Sequence, residues 1–177
     1  MPTWSKNMHV KNNRLLAIDP GAREMGIAVL DDTQLIYFGV KSLKTYRPEQ
    51  VLRRAVTDIL ARLIVEYSIG TLVIKDGHFS QTESSLYNAV VQTIQDTAKQ
   101  RKLRLVLYDH KTIRQSICRD GKATKKRTAQ FLSERYPELK IYLEQDRGWK
   151  AKYWMHVFDA LASGLTHVMK LEEDGRK

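Results

Sequence analysis

The chain is poor in cysteine and lacks any long apolar run. Cys118 is its one cysteine among 177 residues, which excludes an internal disulfide and indicates a reducing compartment. No apolar segment approaches the roughly 20 residues that a membrane-spanning helix needs, so we expect no membrane partner. The polar stretch 1–13 has no apolar centre of the kind found in a secretory signal, and we interpret it as a flexible lead-in.

Basic residues outnumber acidic ones. The chain has 30 Lys and Arg against 20 Asp and Glu, a formal net charge of +10, which favours a polyanionic partner such as nucleic acid. Hydrophobic residues make up 42%, which suits a folded domain with a substantial core. We predict a single domain over 14–170, followed by a polar tail over 171–177.

The order of apolar patterns predicts an α/β fold. Short apolar runs predict strands over 14–19, 25–30, 34–40, 71–74 and 103–108, and the close spacing of the first three predicts an antiparallel meander. Apolar residues at spacings of three and four predict helices over about 51–64, 83–102, 113–117, 123–136 and 150–170. A meander followed by alternating helices and strands predicts a mixed sheet covered by helices.

Two carboxylates lie in apolar surroundings far apart in the sequence. Asp19 ends a buried strand before Pro20 and Gly21, and Asp159 lies in an apolar helix with His156 three residues before it. That spacing lets His156 and Asp159 face one site, and carboxylates suit a hard divalent cation. Taken singly, Asp19 is equally compatible with a turn residue, Asp159 with a solvent-facing helix residue, and His156 with a hydrogen-bonded core histidine.

In combination, these motifs resemble the RuvC family of Holliday-junction resolvases, within the ribonuclease H-like superfamily. The resemblance covers about 15–166 and rests on the stretches Leu16-Ala-Ile-Asp-Pro-Gly-Ala-Arg-Glu-Met-Gly-Ile-Ala-Val, Leu72-Val-Ile, Gly121-Lys-Ala-Thr-Lys-Lys-Arg and His156-Val-Phe-Asp-Ala-Leu-Ala. It implies a ribonuclease H-like mixed five-stranded sheet flanked by helices, a homodimer, and cleavage of four-way DNA junctions with Mg²⁺ or Mn²⁺. It also implies a cytoplasmic protein of bacterial or phage type, with a eukaryotic organelle left open.

The resemblance carries over to the acidic residues with one departure. Asp19, His156 and Asp159 match metal ligands of the family. Lys75 stands where the family has a glutamate at the end of the fourth strand, and a cation there is expected to weaken metal binding and cleavage. Asp76 follows directly and is a candidate replacement ligand, although alternation along a strand would turn it away.

A basic loop and helix start supply candidate DNA contacts. Because the family uses lysines in the matching loop, we expect phosphate binding by Arg119, Lys122, Lys125, Lys126 and Arg127. Leu86 and Val90, on the helix predicted over 83–102, are candidate contacts between two copies of the chain. Two further functions stay open: a junction-binding module whose catalysis was lost at Lys75, and a ribonuclease H-like nuclease that acts on structured RNA.

Overall fold

A computed structural model describes residues 14–76 and 84–176 of the chain. The predicted lead-in over 1–13, the predicted start of the second helix at Glu83 and the last residue of the predicted tail lie outside the described residues. No helix within the described ranges is long and apolar enough to cross a bilayer.

The centre of the fold is a five-stranded sheet with the order β3-β2-β1-β4-β5. Its strands are β1 Arg14–Asp19, β2 Glu24–Asp31, β3 Gln34–Ser42, β4 Thr71–Lys75 and β5 Arg104–Tyr108. The first three strands pair antiparallel, β4 pairs parallel to β1, and β5 pairs parallel to β4. The predicted mixed sheet is therefore confirmed.

Helices cover both faces of this sheet. They are α1 Glu49–Glu66, α2 Ser85–Gln100, α3 His110–Cys118, α4 Lys125–Arg135, α5 Lys140–Leu143 and α6 Gly148–Asp174. A 3₁₀ turn at Pro137–Leu139 and the short α5 were not predicted, because they are too short to show a helical period. Helix α6 continues beyond the predicted end at Lys170 and includes most of the predicted polar tail.

Alternation along the strands separates two apolar cores. In β1, Leu15 and Ala17 pack with α6, while Leu16 and Ile18 pack in the core on the other face, which also holds the buried residues of α1 and α2. In β4, Val73 lies on the α6 side of the sheet. The same alternation turns the last residue of each of these two strands towards α6.

One predicted surface turns out to be interior. Val90 is fully buried in the core that α1 and α2 form with the sheet, and Leu86 is half-buried against the same core. Their helical stripe therefore faces the sheet, because that is the face whose burial stabilises α2. Val90 cannot be a contact between two copies, which corrects the prediction made from the apolar pattern.

Glycines allow α6 to lie close to the sheet. A Cβ atom on Gly26 of β2 would lie 2.0 Å from the His156 carbonyl oxygen, and one on Gly164 of α6 would lie 2.8 Å from the Ala17 Cβ. Both distances are far inside van der Waals contact, so neither position can carry a side chain without moving α6. The Gly26 contact matters most, because it fixes the backbone of a predicted site residue.

We predict that Gly26→Ala destabilises the protein by at least about 2–3 kcal/mol, because the clash is with backbone and can be relieved only by shifting α6. Urea unfolding measures this loss. Gly148→Ala is the control: its Cβ would meet nothing within 4 Å, so its effect should stay within about 1 kcal/mol and favour the helix. Equal stability of the Gly26→Ala and wild-type proteins would show that α6 does not lie this close to β2.

Candidate active site

The sheet brings Asp19 and Lys75 together. Ile18 of β1 is paired with Ile74 of β4, so the next residue of each parallel strand reaches the same carboxyl edge, side by side. This edge is where open α/β sheets place their sites. Asp19 is only 3% exposed. A buried charge of this kind requires partners close by.

Helix α6 supplies the partners from above the sheet. His156 Nδ1 lies 2.7 Å from Asp19 Oδ2, and because an ionised carboxylate only accepts, the imidazole N–H donates to it. That bond orients the imidazole ring and uses its Nδ1, so Nε2 is the ring nitrogen that does not contact Asp19. Asp159, three residues further along α6, lies on the same face of the helix.

Lys75 bridges the two carboxylates. Its Nζ lies 2.6 Å from Asp19 Oδ1 and 2.8 Å from Asp159 Oδ2. The Lys75 side chain is only 11% exposed, so these are largely desolvated ion pairs. Lys125 Nζ lies 3.2 Å from the same Asp159 oxygen from a more exposed position on α4. The result is a compact cluster in which each buried charge has an opposite charge beside it.

These contacts shift two pKa values in opposite directions. Burial alone would raise the pKa of Asp19, but the hydrogen bond from His156 and the charge of Lys75 outweigh it and lower that pKa below the usual 3.8. Burial alone would lower the pKa of Lys75, but the charges of Asp19 and Asp159 raise it above the usual 10.5. Both groups are therefore charged around neutral pH, and each stabilises the ionised form of the other.

The arrangement does not fit a divalent cation bridged by Asp19 and Asp159. Such an ion would lie about 2.0–2.6 Å from carboxylate oxygens of both residues, in the space that Lys75 Nζ takes. Within the described ranges, no group of three or more His, Cys, Asp and Glu side chains is arranged to hold a metal. In this arrangement, the cation between the two carboxylates is the ammonium of Lys75.

Asp76 lies outside this cluster. Its backbone N–H donates to the Tyr108 carbonyl at 2.8 Å, which continues the pairing of β4 with β5. Since Lys75 faces α6, alternation turns the next side chain away. The structure shows no contact between the Asp76 carboxylate and Asp19 or Asp159, so it gives no support to Asp76 as the replacement ligand.

The predicted basic segment borders the site. All five of its cations, Arg119, Lys122, Lys125, Lys126 and Arg127, are exposed. Arg119 adopts a left-handed conformation (φ 55°) that ends α3, and the Thr124 hydroxyl caps the start of α4. Arg127 pairs with Asp120 at 3.4 Å. Of the five, Lys125 is the one whose ammonium contacts the carboxylate cluster.

The sequence interpretation missed His110 and Arg114. Both lie on α3 and line a small cavity with Lys75, Asp159 and Lys125. Burial lowers the pKa of His110 below the usual 6.5, and the positive charge of Lys75 lowers it further. A signal was present, because His110 follows the end of β5 at the same sheet edge as Asp19 and Lys75.

We predict that Lys75→Met lowers the free energy of unfolding by about 3–5 kcal/mol, because it leaves two buried carboxylates without their shared cation. The depressed pKa of Asp19 gives stability that is present above 3.8 and lost as pH falls further. The raised pKa of Lys75 gives stability that is present below 10.5 and lost as pH rises through its folded value. The difference between the two proteins should therefore be present at pH 7 and shrink as pH falls below 3.8 and as it rises above 10.5.

Urea unfolding across this pH range measures the difference. Lys44→Met is the matched control, since Lys44 pairs with Glu24 at 2.6 Å but its side chain is 48% exposed. That loss should stay below about 1 kcal/mol. A Lys75→Met protein as stable as wild type at pH 7 would contradict the bridging role of Lys75.

Solved structures with the same fold include several resolvases. RuvC from Thermus thermophilus matches with a TM-score of 0.72 and 16% identity, over 91% of this chain and 96% of that one. The yeast mitochondrial Holliday junction resolvase matches with a TM-score of 0.60 and 13% identity, over 93% and 82%. The Fowlpox virus resolvase, solved with Holliday junction DNA, matches with a TM-score of 0.51 and 14% identity, over 88% and 99%. At these identities the likeness concerns the fold.

Family membership comes from the sequence. Among curated proteins, no sequence matches the chain. The family model described as crossover junction endodeoxyribonuclease RuvC matches residues 15–167, which include the sheet apart from Arg14, the carboxylate cluster and the basic segment. The chain therefore belongs to the RuvC family of crossover junction endodeoxyribonucleases.

Proposed function

We propose that this chain acts on four-way DNA junctions and that its cleavage centre is the cluster of Asp19, His156 and Asp159. The observation that carries the proposal is the RuvC family match over residues 15–167, which spans these three residues. The Fowlpox virus resolvase, the fold neighbour described above as solved with Holliday junction DNA, supports the same substrate class.

The surface charge supports a nucleic-acid substrate. The five exposed cations from Arg119 to Arg127 belong to a segment that reaches the buried carboxylate cluster through Lys125, so a phosphate held near Lys125 would be close to the site. Such contacts give affinity without reading base sequence, which suits recognition of a branched shape. A two-fold homodimer would provide two such sites for two symmetric nicks, and we include that dimer in the proposal.

In this proposal, Lys75 lowers the rate of junction cleavage. The family's reaction uses Mg²⁺ or Mn²⁺, and the residues as arranged do not fit such an ion between Asp19 and Asp159, because the Lys75 ammonium already occupies that space and pairs with both carboxylates. We therefore expect the wild-type chain to bind junctions firmly and to cleave them slowly.

The position of Lys75 between the two carboxylates also favours a second candidate function. A protein whose central cation is a lysine could hold a junction without cutting it, and could protect the branch point or present it to another enzyme. Structured RNA is the remaining alternative substrate. A single comparison of binding and cleavage on junction, duplex and RNA distinguishes all three functions.

We predict that the protein binds a four-way junction more tightly than a duplex of equal length or a structured RNA. Affinity should fall with salt by about 0.9 log unit per log unit of salt for each phosphate contact. Lys126→Ala should reduce that slope by roughly 1, because it removes one exposed cation of the basic segment. Lys99→Ala, an exposed cation on α2 away from the cluster, should leave the slope unchanged.

Fluorescence anisotropy with labelled junction, duplex and RNA across a salt series measures these affinities. Light scattering at micromolar concentration measures the oligomeric state. Equal affinity for junction and duplex would refute the proposed substrate. Tighter binding to RNA would favour the RNA alternative, and a monomer would refute the dimer.

We predict that Lys75→Glu raises Mg²⁺-dependent junction cleavage by orders of magnitude. The substitution replaces the ammonium by a carboxylate, so three acidic groups and His156 surround the position between Asp19 and Asp159. Without metal these like charges repel, and the variant should melt below wild type. Mg²⁺ should restore stability, by about 2.7 kcal/mol at 100 times its dissociation constant.

Thermal melts in EDTA and in Mg²⁺, together with single-turnover cleavage at matched Mg²⁺, test this prediction. Lys75→Met is the control, since it removes the ammonium without adding a ligand and should respond less to Mg²⁺. Robust cutting by the wild-type protein that Lys75→Glu leaves unchanged or reduces would contradict the role given to Lys75.

A further inference from the structure

We propose that a groove beside His156 binds an unpaired nucleotide of the DNA strand that crosses the site, with Trp149 as its stacking surface. This inference rests on the proposed junction substrate and adds a binding site outside the carboxylate cluster. The groove has a volume of about 380 Å³. It is lined in part by Arg23, Lys44, Trp149, Lys152, Tyr153 and His156.

The groove follows one stripe of α6 into the cluster. Trp149, Lys152, Tyr153 and His156 are spaced by three, one and three residues, which puts them on one face of the helix. At 1.5 Å per residue, Trp149 lies about 10 Å along the helix from His156. That length is roughly the rise of three stacked nucleotides, so a strand with a phosphate at the cluster would reach Trp149.

The two aromatic side chains of the groove, Trp149 and Tyr153, differ in exposure and in how firmly they are held. Trp149 is 62% exposed, an unusual position for a large aromatic side chain without a partner to bind. Lys150 Nζ lies 5.8 Å from the centre of its ring and brings a positive charge to the stacking surface. Tyr153 is held more firmly, because its hydroxyl donates to the Val40 carbonyl at 3.3 Å and its ring packs edge-on against Trp154.

The charge of the groove suits a phosphate backbone. Arg23, Lys44 and Lys152 are exposed along it, and Glu24 neutralises part of that charge through its ion pair with Lys44. A positive groove with an exposed indole is the usual combination for single-stranded nucleic acid, because every base has a face that can stack. A duplex offers no free base face along its length, so the occupant we infer is an unpaired nucleotide at the branch.

The groove also continues a path across the site. Lys125, at the start of α4, contacts Asp159, while His156 lines the groove and contacts Asp19. The carboxylate cluster therefore lies between the basic segment and the groove. A DNA strand that passes from the basic segment to the groove would place one phosphate over the cluster. The nucleotides that follow this phosphate would then lie along the groove towards Trp149.

Photocrosslinking of the wild-type protein tests the contact directly. Junctions with a single 5-iodouracil within three nucleotides of the branch would be irradiated with the protein, and crosslinked residues identified by mass spectrometry. We expect a crosslink at Trp149 from one or more of these positions and none from a matched duplex. Crosslinks confined to residues 119–127, with none at Trp149, would overturn the inference.

Substitutions test the energetic role of the indole. Trp149→Ala should weaken junction binding roughly 5- to 150-fold, the range for loss of one base–aromatic stack, while Trp149→Phe should keep most of the affinity. Phe131→Ala, which removes another exposed aromatic side chain (42% exposed) on α4, is the control and should change little.

The outcomes separate the two proposals. Junction preference by the wild type together with unchanged binding by Trp149→Ala would refute the groove and leave junction recognition standing. A wild-type protein with no preference for junctions over duplex would refute the proposed function and, with it, the groove. Melting curves of each variant establish that it is folded.

Discussion

The ion pairs that join Lys75 to Asp19 and Asp159 hold the functional end of this molecule together. They link three elements that are distant in sequence, since β1, β4 and α6 each contribute one charged residue. Two carboxylates this close to each other in a desolvated site would repel strongly without a cation between them. In the RuvC family a divalent metal is expected to meet that need, and in this chain a lysine meets it. The same ammonium therefore links the local stability of the cluster to the metal affinity and activity that we propose for it.

The rest of the fold makes that cluster possible. Strand alternation turns Asp19 and Lys75 to the face that α6 covers, and parallel pairing brings their strand ends side by side. Gly26 lets the α6 backbone approach the sheet, which places the His156 imidazole against Asp19. The basic segment then borders the cluster through Lys125. The carboxylate cluster and its basic border thus result from local rules of strand and helix geometry applied at one sheet edge.

Sequence patterns predict most of this architecture, and the physical reason is local periodicity. The sequence predicts that Asp19 and Lys75 lie at strand ends. The spacing of His156 and Asp159 predicts that they share one face of a helix. The patterns do not show which charges pair. They place Lys75 at the end of β4, but its contact with both carboxylates is a fact of tertiary structure. The patterns also did not show that Val90 is buried in the core. The Trp149 groove arises from three separate segments, so no local pattern could reveal it.

The central claim is that the Lys75 ammonium replaces a metal between Asp19 and Asp159. Anomalous diffraction from crystals of the wild-type protein grown with Mn²⁺ at millimolar concentration tests it most directly. The account predicts Lys75 Nζ in hydrogen-bond contact with both carboxylates and no anomalous peak between them. A Mn²⁺ peak within about 2.0–2.6 Å of an oxygen of each carboxylate, with Lys75 displaced, would contradict it.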